Sequence, residues 1–279
     1  MNQRTHLTSV FSDTLACIQS EEKYQSAIRQ AISEQTLVLA DDSVPLPPAA
    51  FNSPAQVSVT HNRSLEAAAR YIGRKVCVLN FASATNPGGG VLHGASAQEE
   101  SICRCSTLYP CLATPAMLKG FYTPHRLASN PLHNDDIIYT PGVLVLKDDD
   151  YRPLDTPFAV DVLTCAAPNL RSVPANTDNA DGTAHAVVSN EELYRLHVMR
   201  ARRIMTVAAR NHAEVLVLGA FGCGAFRNNP MVVAKAYNTV LPEFLFHFRT
   251  IEFAVYCPPF AQQNYHAFAQ SIRQTDEGL

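Results

Sequence analysis

A strand, a glycine loop and a helix start follow one another so closely in the first third of this chain that they leave few folds open. Residues 76–81 contain Val76, Val78, Leu79 and Phe81, a short apolar run rich in β-formers. The run stops at Asn86-Pro87, and three consecutive glycines follow, Gly88, Gly89 and Gly90. Such a triplet sacrifices backbone entropy for dihedral freedom and for the absence of Cβ, which suits a main chain against which a ligand lies. Seven residues later the sequence reads Gln98-Glu99-Glu100-Ser101 and becomes helical in pattern. Ser96 stands in an N-cap position with Glu99 three residues on, the arrangement of a capping box.

Acidic residues in a first turn are ordinarily macrodipole partners facing water. Here the spacer is short enough that Glu99, Glu100 and the loop backbone are expected to face one small volume. That convergence points to catalysis.

The rest of the chain repeats the strand-helix alternation. Residues 11–34 carry Leu15, Ile18, Ala27, Ile28 and Ala31 among charges and read as two helical segments, and the prolines at 45, 47, 48 and 54 mark an extended connection. Strands are expected at 57–60, 76–81, 137–146, 158–165, 215–219 and 251–256. Helices are expected at 65–72, 98–112, 189–211, from Pro230, and at 260–272. In the long helix, Tyr194, Val198, Ala201, Met205 and Ala208 fall on one face. Residues 115–134 read as an irregular excursion, 169–185 as a surface loop, and Asp148-Asp149-Asp150 as a solvated hairpin tip. The class is α/β, with helices on both faces of a central mixed sheet. Residues 1–55 are expected to form a helical accessory region, and 56–279 the catalytic domain.

Composition narrows the function. The 279 residues are 47% hydrophobic and carry a formal net charge of −3, enough for a sizeable core and too little positive field to hold duplex nucleic acid by its phosphates. No run approaches the roughly 18 apolar residues of a membrane span. The N-terminus lacks a signal-peptide pattern, so a cytoplasmic location is expected. The eight cysteines include no Cys-x-x-Cys pair and the histidines no zinc-ligand spacing. They read as small core hydrophobes, and neither a metal nor a cofactor is expected.

A second glycine loop, Gly219-Ala-Phe-Gly222-Cys223-Gly224-Ala225-Phe226, follows the strand at 215–219. Its glycines can bare consecutive backbone N–H groups to phosphate oxygens, and the helix from Pro230 is expected to add its positive end. The order of the glycines fits neither a dinucleotide fingerprint nor a Walker loop. Both loops should lie at the carboxyl ends of their strands, where open α/β sheets bind ligands. A nucleoside diphosphate lying between them, with a sugar beside Glu99 and Glu100, is the ligand this pattern suggests.

Taken together, these motifs resemble the microbial branch of the poly(ADP-ribose) glycohydrolase family, whose signature is Gly-Gly-Gly, a short spacer and Gln-Glu-Glu. The resemblance spans residues 57–272 and extends to the helical N-terminus. It implies a macrodomain-like three-layer α/β/α fold. It implies that Glu100 is the catalytic acid, that Glu99 orients ribose hydroxyls, and that Gly222, Cys223, Gly224, Ala225 and Phe226 hold the diphosphate, the Phe226 ring fixing the distal ribose. Ser83, Asn86, Gly88, Gly89, Gly90 and Gln98 complete the expected substrate-binding set, with Ser83 or Asn86 touching the distal ribose. Asn86 departs from the basic or variable residue expected there. The implied reaction cleaves the ribose-ribose bond of poly(ADP-ribose), from chain ends, through an oxocarbenium-like centre. One carboxyl then both protonates the leaving hydroxyl and activates water, while the bound diphosphate assists and no metal takes part. The implied partners are poly(ADP-ribose) or ADP-ribosylated proteins, with no membrane, no duplex nucleic acid and a monomeric chain. Two other readings remain open: a hydrolase of another ADP-ribose conjugate, and a macrodomain that only binds ADP-ribose.

Overall fold

The structure is a computed structural model and describes residues 2–171 and 186–274. The chain begins with α1 (Gln3–Ser20) and α2 (Glu22–Glu34), then β1 (Thr36–Val38), β2 (Gln56–Thr60), α3 (Ser64–Ala69) and β3 (Val76–Phe81). It continues through α4 (Gln98–Cys105), α5 (Leu108–Leu112), α6 (Pro115–Met117), α7 (Thr123–Ala128), β4 (Ile137–Lys147) and β5 (Pro153–Cys165). It closes with α8 (Asn190–Arg210), β6 (Val215–Leu218), α9 (Pro230–Val240), β7 (Thr250–Ala254) and α10 (Gln263–Ser271).

The strands form one sheet in the order β1-β4-β5-β3-β6-β7-β2. Its core, from β5 through β3, β6 and β7 to β2, is parallel, while β4 runs antiparallel to both β1 and β5. Val78 at the centre pairs with Val162 of β5 and Val217 of β6. Because strand side chains alternate, Cys77, Leu79, Leu216 and Leu218 enter the core shared with α8, α9 and α10. Val76, Val78, Val215 and Val217 enter the opposite core, shared with α1, α3, α4 and α5. Strands covered on both faces read as unbroken apolar runs, which is why β3 and β6 stand out in the sequence. Among the described residues no helix is long and apolar enough to cross a membrane.

Several local expectations are corrected. Residues 115–134 are not an irregular excursion: α6, a π-helical turn (Leu118–Tyr122) and α7 occupy most of them. Pro115 sits in the first turn of α6, where a missing N–H costs nothing, and Pro124 follows the π-helical turn directly. The helix expected across 98–112 is interrupted where Thr107 exchanges two hydrogen bonds with Leu144 of β4. Strand β1, absent from the sequence reading, brings the N-terminal segment into the sheet edge. Tyr194 and Val198 are only half-buried, whereas Ala201, Met205 and Ala208 enter the core as expected, and Leu193, His197, Arg200 and Ile204 share the inner face of α8 with them. Asp149 is not a solvated tip, since it turns in against α3 and accepts the Glu66 N–H at 3.1 Å. The loop expected at 169–185 falls for the most part outside the described residues.

Candidate active site

The five parallel strands end at one edge of the sheet, and the segments leaving them enclose a cleft of about 460 Å³. Its floor is the junction of β3 and α4. Gln98 fastens that junction: its Oε1 accepts the Phe81 N–H at 2.8 Å, and its Nε2 donates to the Leu79 carbonyl at 2.7 Å and to Ser64 Oγ at 3.0 Å. The first turn of α4 is thereby fixed over the end of the strand.

The capping-box expectation fails here, because Ala97 is the N-cap of α4 and no side chain caps it. Glu99 spends its carboxylate on the strand end instead, accepting the Ser83 N–H at 2.7 Å and Asn80 Nδ2 at 3.2 Å. Glu100 accepts the Gly90 N–H at 2.9 Å through Oε1, and its Oε2 has no hydrogen-bond partner among the described residues. Both residues are buried, at 2% and 5% exposure, yet both line the cleft. Burial, and after it the Glu100 charge, raises the Glu99 carboxyl well above its usual range, against the opposing pull of the Ser83 and Gly88 N–H groups and the Asn80 amide.

Gly89 explains the triplet. It adopts φ +58°, and a Cβ there would stand 2.5 Å from Glu100 Oε1 and 3.1 Å from Glu99 Oε2. The two carboxylates therefore pack directly on the glycine backbone, as the short spacer required.

In the second loop, Cys223 N–H is closed onto the Ala220 carbonyl at 3.0 Å. Arg227 and Asn228 donate to the Gly224 and Gly222 carbonyls at 3.2 and 3.0 Å. Between these, the N–H groups of Gly224, Ala225 and Phe226 donate to no acceptor among the described residues. Three adjacent unpaired donors form a concavity suited to an anion. The start of α9 lies off this cleft: Asn229 and Met231 line a separate shallow depression with Asn190 and Lys235, and no α9 residue lines the cleft. Phe226 lines the cleft and also belongs to the core, at 9% exposure, with the Arg171 guanidinium 5.5 Å from its ring centre.

The structure thus gathers Ser83, Gly89, Gln98, Glu99, Glu100, Gly222, Gly224, Ala225 and Phe226 around one cleft. Gly88, Gly90, Asn86 and Cys223 are set back from its wall. Asn86 and Thr85 close a turn on Ser83 Oγ, which accepts their N–H groups at 3.1 and 3.3 Å. Cys223 Sγ points to the Phe221 carbonyl, and burial pushes its thiol up.

The far wall was not anticipated. Arg63 lies over the Tyr256 ring at 4.2 Å and donates to the Asp149 carbonyl at 3.4 Å, and Asn264 also lines the cleft. Burial lifts the Asp149 carboxyl to about 6, against the pull of Arg63. The strand-end rule that located the glycine loops applies equally to β2 and β7, and would have singled out Arg63 and Tyr256.

Comparison with known proteins agrees with this geometry. The family model for the catalytic domain of microbial-type poly(ADP-ribose) glycohydrolases matches residues 6–148. The crystal structure of the Thermomonospora curvata poly(ADP-ribose) glycohydrolase is similar over 96% of this chain and 100% of its own, at 31% identity and a TM-score of 0.84. The same enzyme bound to the inhibitor ADP-HPD gives 32% identity and a TM-score of 0.81, over 96% of this chain and 99% of its own. The Deinococcus radiodurans enzyme in complex with ADP-ribose matches at 30% identity and a TM-score of 0.74, over 88% and 96% of the two chains. No curated protein matches. A family model covering half of the chain, and solved relatives that it spans almost end to end, place this protein in the microbial-type poly(ADP-ribose) glycohydrolase family.

Proposed function

We propose that Glu100 is the acid/base with which this poly(ADP-ribose) glycohydrolase cleaves the ribose-ribose O-glycosidic bond, releasing ADP-ribose from chain ends. The observation that carries this reading is the asymmetry of the carboxylate pair. Glu99 is committed to donors at the end of β3, whereas Glu100 lines the cleft and keeps one buried oxygen without a partner among the described residues. A single carboxyl so placed can protonate the departing hydroxyl and then take a proton from water. Glu99 orients the ribose hydroxyls, and the donors of 224–226 hold the diphosphate. No step calls for a metal or a cofactor. Gln98 acts by holding α4 on β3 rather than by touching substrate, since three protein groups already occupy its amide.

Residues 1–55 serve as an accessory region bracing the catalytic portion at 56–279. Thr14 Oγ1 of α1 donates to the Arg104 carbonyl of α4 at 2.6 Å, which supports that role. Product analysis tests the whole reading. Incubation with poly(ADP-ribose) should release free ADP-ribose from the outset. Early accumulation of short oligomers would refute chain-end cleavage, and an inert polymer with a hydrolysed mono-ADP-ribosylated protein would replace the substrate.

A further inference from the structure

We propose that Asn228, its amide oxygen paired with His197, is a positioning residue for the loop at 224–226, and that this pair sets how tightly the site grips the diphosphate of its ligand. The inference rests on the diphosphate reading of that loop.

Asn228 is 2% exposed and does not line the cleft. The two hydrogens of its Nδ2 are shared among the carbonyls of Pro168, Gly222 and Phe226, at 2.6, 3.1 and 3.2 Å. The last two belong to the loop itself, one peptide unit on either side of the three unpaired N–H groups. The Asn228 amide therefore brackets those donors, and through Pro168 it anchors them to the segment leaving β5. Gly222, at φ +76°, allows this approach, because a Cβ there would meet Ala167 Cβ at 2.6 Å and Asn228 Nδ2 at 3.0 Å.

Three carbonyls around Nδ2 fix which end of the amide is which, since the reverse orientation would set Oδ1 against three oxygens. Oδ1 consequently faces His197 Nε2 at 2.8 Å, and that nitrogen must be the donor. His197 Nδ1 has no hydrogen-bond partner among the described residues. Burial draws the imidazole down to about 4, so near neutral pH the ring is uncharged with its single hydrogen on Nε2. Phe221 holds the ring edge-on at 6.0 Å. His197 likewise lies off the cleft wall, so either residue can reach a ligand only by way of the loop.

Calorimetry with ADP-ribose and with adenosine, beside turnover of poly(ADP-ribose), tests the proposal on the full chain and on Asn228→Ala, His197→Leu and His197→Gln. Removing a buried hydrogen-bonding group should weaken ADP-ribose binding by about tenfold in Asn228→Ala and by about threefold in His197→Leu. Adenosine affinity should change less than about twofold in both, and KM should rise by more than kcat falls. His197→Gln retains a donor at the position of Nε2 and should restore the wild-type affinity. Equal losses for ADP-ribose and adenosine would overturn the proposal, as would wild-type ADP-ribose affinity in His197→Leu. If Asn228→Ala does not fold, the contrast between the two His197 variants decides. A wild-type chain that binds adenosine as tightly as ADP-ribose would instead refute the diphosphate reading itself, an outcome visible before any variant is made.

Discussion

Replacing Gly89 by alanine should cripple turnover while leaving most of the fold intact. The new Cβ would stand 2.5 Å from Glu100 Oε1, and ordinary contact begins near 3.4 Å, so the carboxylate must retreat by about 0.9 Å (3.4 − 2.5). That retreat also stretches the 2.9 Å hydrogen bond from Gly90 N–H that aims the carboxylate. A misplacement of about 1 Å at a reacting group can cost on the order of a hundredfold in rate, which is about 2.7 kcal/mol. Backbone strain acts separately: an L-residue at φ +58° costs roughly 1–2 kcal/mol of stability. Gly142→Ala isolates this second effect, because Gly142 adopts φ +64° with open space where its Cβ would go. Both variants should show a similar fall in Tm, by thermal unfolding, but only Gly89→Ala should lose turnover of poly(ADP-ribose). Wild-type turnover in Gly89→Ala would mean that the carboxylates do not act from the positions they hold against the glycine loop.

Other consequences follow from neighbouring residues. Phe226 belongs to both core and cleft, so Phe226→Leu, which keeps apolar volume, should raise KM for the polymer with a small change in Tm, whereas unchanged kinetics would leave it a core residue alone. The raised Glu99 carboxyl favours the folded chain while protonated, and this contribution is lost as pH rises above its ordinary value of 4.5. Glu99→Gln should therefore gain Tm relative to wild type as the pH is raised from about 4 to 8, and a difference that stays constant or shrinks would contradict the buried-charge account. Gly94, at φ +70°, lies directly against the Arg4 carbonyl of α1. Gly94→Ala should thus lower Tm and turnover together, and an effect on neither would remove α1 from the support of the site.

What could be read in advance, and what could not, follows from how each signal arises. Strands β3 and β6 are buried on both faces and announce themselves as apolar runs, and a glycine triplet so close to two glutamates forces them into contact. Strand β1 has three residues and an exposed or half-buried pattern, so it offers no such signal. The Ser96 and Glu99 pattern is that of a helix cap, but the donors at Ser83 and Asn80 belong to another element and can be seen only once β3 and α4 meet. His197 and Arg200 on α8 are polar and yet buried, each hydrogen-bonded to a distant partner: Asn228 for the first, Asp135 at 2.6 Å for the second. Hydrophobic periodicity places such residues on the wrong face of a helix. The same blindness hid Asn228, one of two adjacent asparagines before Pro230, of which only Asn229 serves as the cap of α9.

The assignment of Glu100 is tested most directly by measuring turnover of poly(ADP-ribose) and ADP-ribose affinity side by side in Glu100→Gln. The substitution removes the proton carrier and leaves the donors of Gly224, Ala225 and Phe226 untouched. Turnover should fall by roughly a hundredfold to ten-thousandfold, with ADP-ribose still bound within about threefold of wild type. Near wild-type turnover in the folded variant would contradict the account.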